Sequence, residues 1–263
     1  MSDDPVLVSV DREGVGWITL NRPRVHNAFN DGLIIRLGDA LNRVASDPAV
    51  RAIALCAKGR SFSAGADLNW MRAMADYSES ENVTDARAAA DIFRTLDALS
   101  KPTVAVVHGS AFGGGVGLVA ACDIAIAAEE SMFTLSEVRL GLIPSIIGPY
   151  VIGAIGARQA RRYFQTAEQF SAAEALRIGL VHQVVPTSSL EETVSSVLTS
   201  LVGNSPKAMA AAKTLVRDIA GRRVNDELVE DTSRRIASLR ASDEGREGLS
   251  AFLEKRLPSW VKS

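Results

Sequence analysis

Two stretches of this chain have the composition of places where a backbone, rather than a side chain, meets a substrate. One is Ser63-Ala64-Gly65-Ala66-Asp67, a run of small residues opening onto a helical pattern at Leu68. The other is the segment 103–123, where the apolar run Thr103 to Val107 ends at His108-Gly109 and Gly113, Gly114, Gly115 and Gly117 follow. Leu118 to Cys122 then take helical spacing, so this segment reads as strand, turn and helix start. Glycine lets a ligand or another backbone come close, and the first turn of a helix carries N–H groups without helical partners. With the positive end of the helix dipole, such donors suit an oxygen that is acquiring negative charge.

Each stretch alone has a plainer reading. Four glycines can simply let a helix pack tightly on a sheet, and A-G-A-D can be an ordinary helix cap. A nucleotide loop fits poorly. Counted from Gly113, the dinucleotide fingerprint puts Leu118 where its third glycine belongs; the looser match through Gly115, Gly117 and Ala120 is weak, and G-K-[S/T] is absent. Two such turns about fifty positions apart in one chain favour an oxyanion site.

The surrounding pattern predicts the elements that must position these turns. Val6 to Val10 and Gly16 to Leu20 read as paired strands around a turn at Asp11 to Gly14, ended by Asn21-Arg22-Pro23. Leu33, Ile34, Leu37, Leu41 and Val44 give helical spacing over 31–45, capped by Asp31. Arg51 to Cys56 is a buried strand, and 58–67 a loop. Leu68 to Met74 is helical, the polar run 75–84 a mobile segment, and Ala86 to Leu99 a helix. Ile124 to Ala127 and Met132 to Thr134 repeat the strand theme, so a ββα unit recurs about three times. Past Ser171 helices dominate (171–178, 188–202, 205–219, 225–239, 243–254), with one strand at Val181 to Val185. The expected division is an α/β core over 1–195 carrying the site and a helical oligomerisation region over 196–263, whose apolar residues pack on their own core, on a neighbouring subunit, or both.

Composition narrows the class. The chain has 263 residues, 47% of them hydrophobic, with a formal net charge of -2. Basic residues are scattered, which argues against nucleic acid as a partner. Cys56 and Cys122 lie in apolar runs and read as buried thiols, and no metal-binding spacing occurs. The acidic N-terminus lacks a secretory core and no apolar run approaches the ~20 residues of a membrane span, so a soluble cytoplasmic protein is expected.

Six motifs stand in a fixed order: NRPxxxNAF at 21–29, FSAGAD at 62–67, AFGGGVGLVAACD at 111–123, LSEVRLGLIP at 135–144, SAAEALRIGLV at 171–181 and EGLSAFLEKR at 247–256. As an ordered set over about residues 6–260 they resemble the crotonase superfamily, the enoyl-CoA hydratases and isomerases. The resemblance implies a crotonase-like spiral of repeated ββα units with a C-terminal helical trimerisation region, assembled as a trimer or a hexamer. It implies an acyl-CoA thioester as substrate, with coenzyme A part of that thioester and no separate cofactor or metal. The Ala66 and Gly114 N–H groups would hold the thioester oxygen as the α-carbon gains or loses a proton; removing one such donor typically raises a barrier by roughly 3 kcal/mol.

In two-glutamate hydratases of this family one glutamate falls where this chain has Gly117, and the second where it has Glu137. The chain therefore carries one of the two. Glu137 could be an exposed helix carboxylate paired with Arg139, but the resemblance makes it the catalytic acid/base, and Phe133, Leu135, Val138 and Leu140 would raise its pKa by desolvation. The run 66–71 (ADLNWM), Gly117 and SEVRLGL resemble bacterial methylglutaconyl-CoA hydratases of leucine or isoprenoid breakdown, with Glu137 as sole acid/base. Restoring a carboxylate at position 117 would then raise hydration of straight-chain substrates.

A double-bond isomerase, which moves a proton between carbons and binds no water, is the rival. A catalytically dead acyl-CoA-binding or RNA-binding scaffold is the alternative from another class; intact Glu137, both turns and the lack of a basic stripe argue against it. CoA is expected along Ala64, Ala66, Asp67, Leu68 and Asn69, with adenine near Ala64 and Ala66, Lys255 on the 3′-phosphate from the same or an adjacent subunit, and Arg24 on the pyrophosphate. Lys255 could equally be a solvated helix lysine, and Asn69 stands where many relatives have lysine. His26 and His108 read as structural, and Arg72 or Arg139 could meet a distal carboxylate.

Overall fold

Alternating apolar residues build the first ribbon. In the computed structural model, which describes residues 4–261, β1 (Val6–Val10) pairs antiparallel with β2 (Val15–Leu20), Val6 lying opposite Leu20. Gly14, at φ 92°, makes the turn between them. Leu33, Leu37 and Leu41 form the buried face of α1 (Asp31–Ser46). Its cap is Asn30 rather than Asp31: the Asn30 side chain accepts from Leu33 N–H, which leaves Asp31 in the first turn, where a carboxylate favours the helix dipole.

The rest of the core repeats one rule three times. β3 (Ala52–Ala57), β5 (Thr103–Val107) and β7 (Ile124–Ala128) run parallel to one another in a six-stranded sheet ordered β1-β2-β3-β5-β7-β10, where β10 is Gln183–Val185. After each of β3, β5 and β7 the chain leaves for a smaller sheet. There β4 (Ser61–Ser63), β6 (Ser110–Phe112) and β8 (Met132–Thr134) run parallel, and β9 (Phe170–Ser171) closes the edge antiparallel. Helix α2 (Leu68–Ala75) follows β4, and α4 (Gly114–Ala121) follows β6. The third unit instead passes through a 3-10 turn, Glu137–Leu140, to α5 (Gly148–Thr166). This is the crotonase-like ββα spiral.

Both faces of the large sheet are covered, as its apolar strands require. Ile18, Leu20, Ile53 and Leu55 join Leu33, Leu37, Phe93 and Leu96 in the main core. On the opposite face Ala52, Ala54, Val104 and Ile126 meet Leu190, Val194 and Leu198 of α7 (Leu190–Val202). The expected division at 195/196 thus falls inside one helix that packs on the sheet.

Other local expectations change as well. Residues 61–63, expected as loop, form β4. The segment 75–84 is not mobile coil throughout: α3 runs Glu79–Ala98, begun by a capping box in which Ser78 accepts from Glu81 N–H and the Glu81 carboxylate accepts from Ser78 N–H. Two small satisfied donors outweigh the polar, uneven composition. The strand expected at 181–185 is confined to Gln183–Val185, after α6 (Ala172–Ile178) and its C-cap Gly179 at φ 87°. Finally α5, unexpected from the sequence, continues across a non-helical residue, Gly156, at φ 74° and ψ 155°.

The last three helices bury little of themselves. α8 (Pro206–Ile219) buries no residue, α9 (Asp226–Ala241) only Leu228, and α10 (Asp243–Glu254) only Ala251. Val216, Leu249, Phe252 and Leu253 are exposed, Phe252 by 81%. No helix among the described residues is long and apolar enough to cross a membrane.

Candidate active site

The three parallel strands of the small sheet end at one place. Past β4 the chain turns through Gly65 and Ala66 into α2; past β6 it turns through Gly113 into α4; past β8 it reaches Glu137. The turns touch: a Cβ built on Gly65 or on Gly113 would stand 3.9 Å from the Cα of the other. Gly65 at φ 83° and Gly113 at φ 48° hold backbone conformations that side-chain-bearing residues rarely adopt. Ala66, Gly114 and Glu137 line one cavity of about 150 Å3.

The Ala66 turn is clamped from the side by Asn27 to Phe29. Phe29 N–H donates to Gly65 O (2.7 Å), and Asp67 N–H donates to Phe29 O (2.8 Å). Fully buried Asn27, at φ 53°, donates to Lys58 O (2.8 Å) and Ser61 O (2.9 Å), and its Oδ1 accepts from Arg22 N–H (2.8 Å). Asp67 caps α2 by accepting from Asn69 N–H (2.9 Å), and Arg22 reaches it at 3.0 Å. Burial alone would raise the Asp67 pKa, but the Asn69 N–H and the Arg22 guanidinium more than offset it and hold the carboxyl below the usual range. The first motif is thus a splint for the donor turn, a role the sequence reading did not assign.

Gly113 is fixed by donating to Thr134 O (2.9 Å), and the first helical bond of α4 is Gly117 N–H to Gly113 O (3.1 Å). Gly114 is the first residue of α4, where the N–H has no helical acceptor. Neither Ala66 N–H nor Gly114 N–H has an acceptor among the described residues. Gly114 N–H opens α4, and Ala66 N–H lies in the turn just before Asp67, the cap of α2.

Glu137 opens the 3-10 turn, and its Oε1 lies 3.1 Å from where a Cβ on Gly113 would stand. Its Oε2 is buried without a hydrogen-bond partner. Burial raises the Glu137 pKa, offset in part by its own backbone N–H. Arg139, the surface partner of the plainer reading, instead donates to Ala167 O (2.6 Å). An unpaired, partly desolvated carboxyl is suited to exchanging protons near neutral pH.

The rest of the cavity is apolar: Phe29, Trp70, Ala89, Phe93, Ile143, Pro144, Ile146 and Ile147, with Ser145 the other polar side chain. These wall residues were not singled out in the sequence, since nothing in local spacing marks them. The seat of the missing carboxylate is filled. A Cβ on Gly117 would lie 2.2 Å from Ile147 Cγ2 and 2.8 Å from Phe93 Cε1. Arg72, the other cation considered for a distal carboxylate, donates to Asn69 Oδ1 (2.7 Å) on the exposed side of α2. Among the described residues no Lys or Arg lines the cavity.

Of the positions expected to contact CoA, Ala64 to Asn69 are contiguous at the donor turn, with Leu68 and Asn69 exposed. Arg24 is exposed in the 3-10 turn Pro23–Val25. Lys255 is the exposed left-handed C-cap of α10, outside the cavity lining. His26 Nδ1 lies 3.0 Å from Ser61 Oγ, and His108 Nε2 2.9 Å from Gly59 O, both structural contacts. Cys56 is half-buried, and burial pushes the Cys122 thiol up to about 12.

The chain matches the family model described as enoyl-CoA hydratase/isomerase over residues 11–263. It is 33% identical to the 2,3-dehydroadipyl-CoA hydratase of Escherichia coli, covering 97% of this chain and 98% of that protein. It is 32% identical to the short-chain-enoyl-CoA hydratase of Clostridium acetobutylicum, covering 95% of each. Among solved structures, an enoyl-CoA hydratase from Shewanella pealeana superposes with a TM-score of 0.94 at 41% identity, covering 97% of this chain and 96% of that one.

Proposed function

The chain belongs to the enoyl-CoA hydratase/isomerase family, and from that premise we propose that it adds water across the double bond of a short α,β-unsaturated acyl-CoA thioester. One observation carries this reading. The unpartnered Oε2 of Glu137 and the two turns that begin α2 and α4 line the same cavity. In this mechanism Ala66 N–H and Gly114 N–H donate to the thioester oxygen. Glu137, as carboxylate, takes a proton from water whose oxygen bonds to the β-carbon, while the double-bond electrons move onto the thioester as an enolate. The enolate oxygen is where the two donors bind most strongly. Glu137 then delivers its proton to the α-carbon and is a carboxylate again. Its raised pKa suits a group that must do both.

Coenzyme A, in this reading, lies along Ala64 to Asn69 with its adenine near Ala64 and Ala66. Arg24 is assigned to the pyrophosphate, and Lys255, from a neighbouring subunit, to the 3′-phosphate. The exposed apolar faces of α8 to α10 would be covered in a homotrimer or a pair of trimers. The cavity of about 150 Å3 is below the roughly 300–1,000 Å3 of sites for drug-sized ligands, which favours a short acyl group. A methylglutaconyl group belongs among the substrates on the sequence resemblance. Its distal carboxylate would have to sit beyond the apolar lining, which carries no cation.

A second reading has an observation of its own. With Ile147 and Phe93 in the seat of the first family glutamate, one carboxylate works alone, as in moving a double bond from the β,γ to the α,β position. The two readings part in one assay. Loss of the absorbance of a conjugated enoyl thioester supports hydration, and its gain from a β,γ-unsaturated thioester supports isomerisation. The panel should hold crotonyl, branched and carboxylated thioesters, and no change with any of them overturns both.

A further inference from the structure

Among the described residues that line the cavity, Trp70 is the one whose side chain makes a hydrogen bond with another residue. It lies on α2, which has no buried residue and is tied to the core at its start through Asp67. The indole packs partly buried against the main core, and its Nε1–H donates to Asp85 Oδ1 at 3.1 Å. Asp85 lies on α3 four residues before Ala89 and eight before Phe93, both of which line the same cavity. Residues at that spacing share one helix face. One face of α3 therefore offers Phe93 against the filled seat beside Gly117, then Ala89, then Asp85, with Trp70 bonded to the last. Among the described residues no cation pairs with Asp85. A half-buried carboxylate partnered by an indole N–H has a defined task in this geometry, which is to fix where that ring stands.

We infer that Asp85 is a positioning residue for substrate choice: by holding the Trp70 ring at the cavity wall, it limits the length of acyl chain that the site accepts. This rests on the reading above that the cavity takes the acyl group of a thioester. Freed of Asp85, the ring can swing away, α2 having no buried residue beyond its tied start to prevent it, and a longer chain gains room beside Ala89.

The test is binding by titration calorimetry of saturated butanoyl-, hexanoyl- and octanoyl-CoA, together with kcat and KM on the matching enoyl thioesters. The wild type should bind butanoyl-CoA at least as well as octanoyl-CoA. D85L should shift that ratio toward octanoyl by on the order of tenfold, the yield of newly burying about two methylenes. The change should fall on KM more than on kcat. D85N keeps an oxygen that accepts from the indole and should retain the wild-type ranking. W70A should show the D85L shift, and the double variant no further one, because both act through one ring. If D85L does not fold, W70F removes the donor from the other side and should shift the ranking in the same direction.

An unchanged ranking in both D85L and W70F, or a loss that is uniform across chain lengths, overturns the inference. A ranking changed by W70A but not by D85L or W70F overturns the part of Asp85. Failure of the functional reading looks different: the wild type would turn over no enoyl thioester, whatever the ranking of the saturated ligands.

Discussion

Gly117 and Ile147 exclude any larger arrangement between them: a Cβ on Gly117 would lie 2.2 Å from Ile147 Cγ2, inside any real contact distance. The expectation that a carboxylate restored at 117 would raise hydration is reversed by this contact. Even G117A should destabilise the fold by about 1–3 kcal/mol, the usual effect of overpacking a filled core. G117E alone should lose stability without gaining activity, and G117E with Ile147→Ala should recover part of the stability. Thermal denaturation and crotonyl-CoA hydration measured side by side decide this. A faster, stable G117E would show that the seat is open.

Glu137→Gln keeps the shape of the side chain and removes its ability to exchange a proton. Turnover should fall by about 10^2–10^4-fold, the usual range for loss of general acid–base catalysis, with acyl-CoA binding preserved. Steady-state kinetics and calorimetric binding of a saturated thioester check the two halves.

The same residue sets a pH signature. Burial raises its pKa, and the carboxylate is the form that takes a proton from water. So kcat/KM should fall on the acid side with an apparent pKa above the ordinary Glu value of about 4.3. Stability runs the other way. Between the unfolded and the raised folded pKa the native state holds more protons, so stability declines as pH rises through that window. E137Q should therefore gain stability over wild type at neutral pH, and the gain should vanish below the unfolded pKa. Melting temperatures across acid to neutral pH test this.

Asp67 should behave in the opposite sense. Its folded pKa is lowered, so its stabilisation is present above the unfolded pKa and is lost as pH falls through the lower folded value. D67A removes a helix cap and the partner of Arg22, and should destabilise the chain by about 0.5–2 kcal/mol from the cap alone. Because the donor turn loosens with it, kcat should drop more than that stability loss explains. Kinetics at a temperature well below the melting transition separate the two effects.

Phe252 and Leu253, among the most exposed large apolar side chains, should lie in an interface between copies. F252E should shift the mass measured by sedimentation from a trimer or hexamer toward the single chain, and weaken CoA binding if Lys255 acts across that interface. A monomeric wild type refutes the assembly.

Much of this was legible in the residues because it depends on local rules. The recurring strands of the large sheet and the two glycine turns lie where spacing and small side chains indicate, whereas Glu137 was marked by the family resemblance alone. What stayed hidden depends on contacts distant in sequence. Nothing near Asn27 says that it will bridge Lys58 and Ser61, and nothing near Gly117 names Ile147 as its neighbour. The segment 75–84 differs for another reason: its polar composition suggests coil, while the short Ser78–Glu81 capping pair decides a helix start. Nothing near Arg22 says that it will pair with Asp67, because the two meet only in the folded chain.

The small sheet delivers its chemistry through separate arms, since the Ala66, Gly114 and Glu137 segments each follow a different one of three adjacent strands. Any arm can be redrawn while its neighbours keep their places. Moving the acid to another strand end would change which carbon receives the proton and leave the carbonyl clamp as it is. The architecture separates gripping the thioester from choosing what happens to it, which lets one scaffold host different reactions at little structural risk.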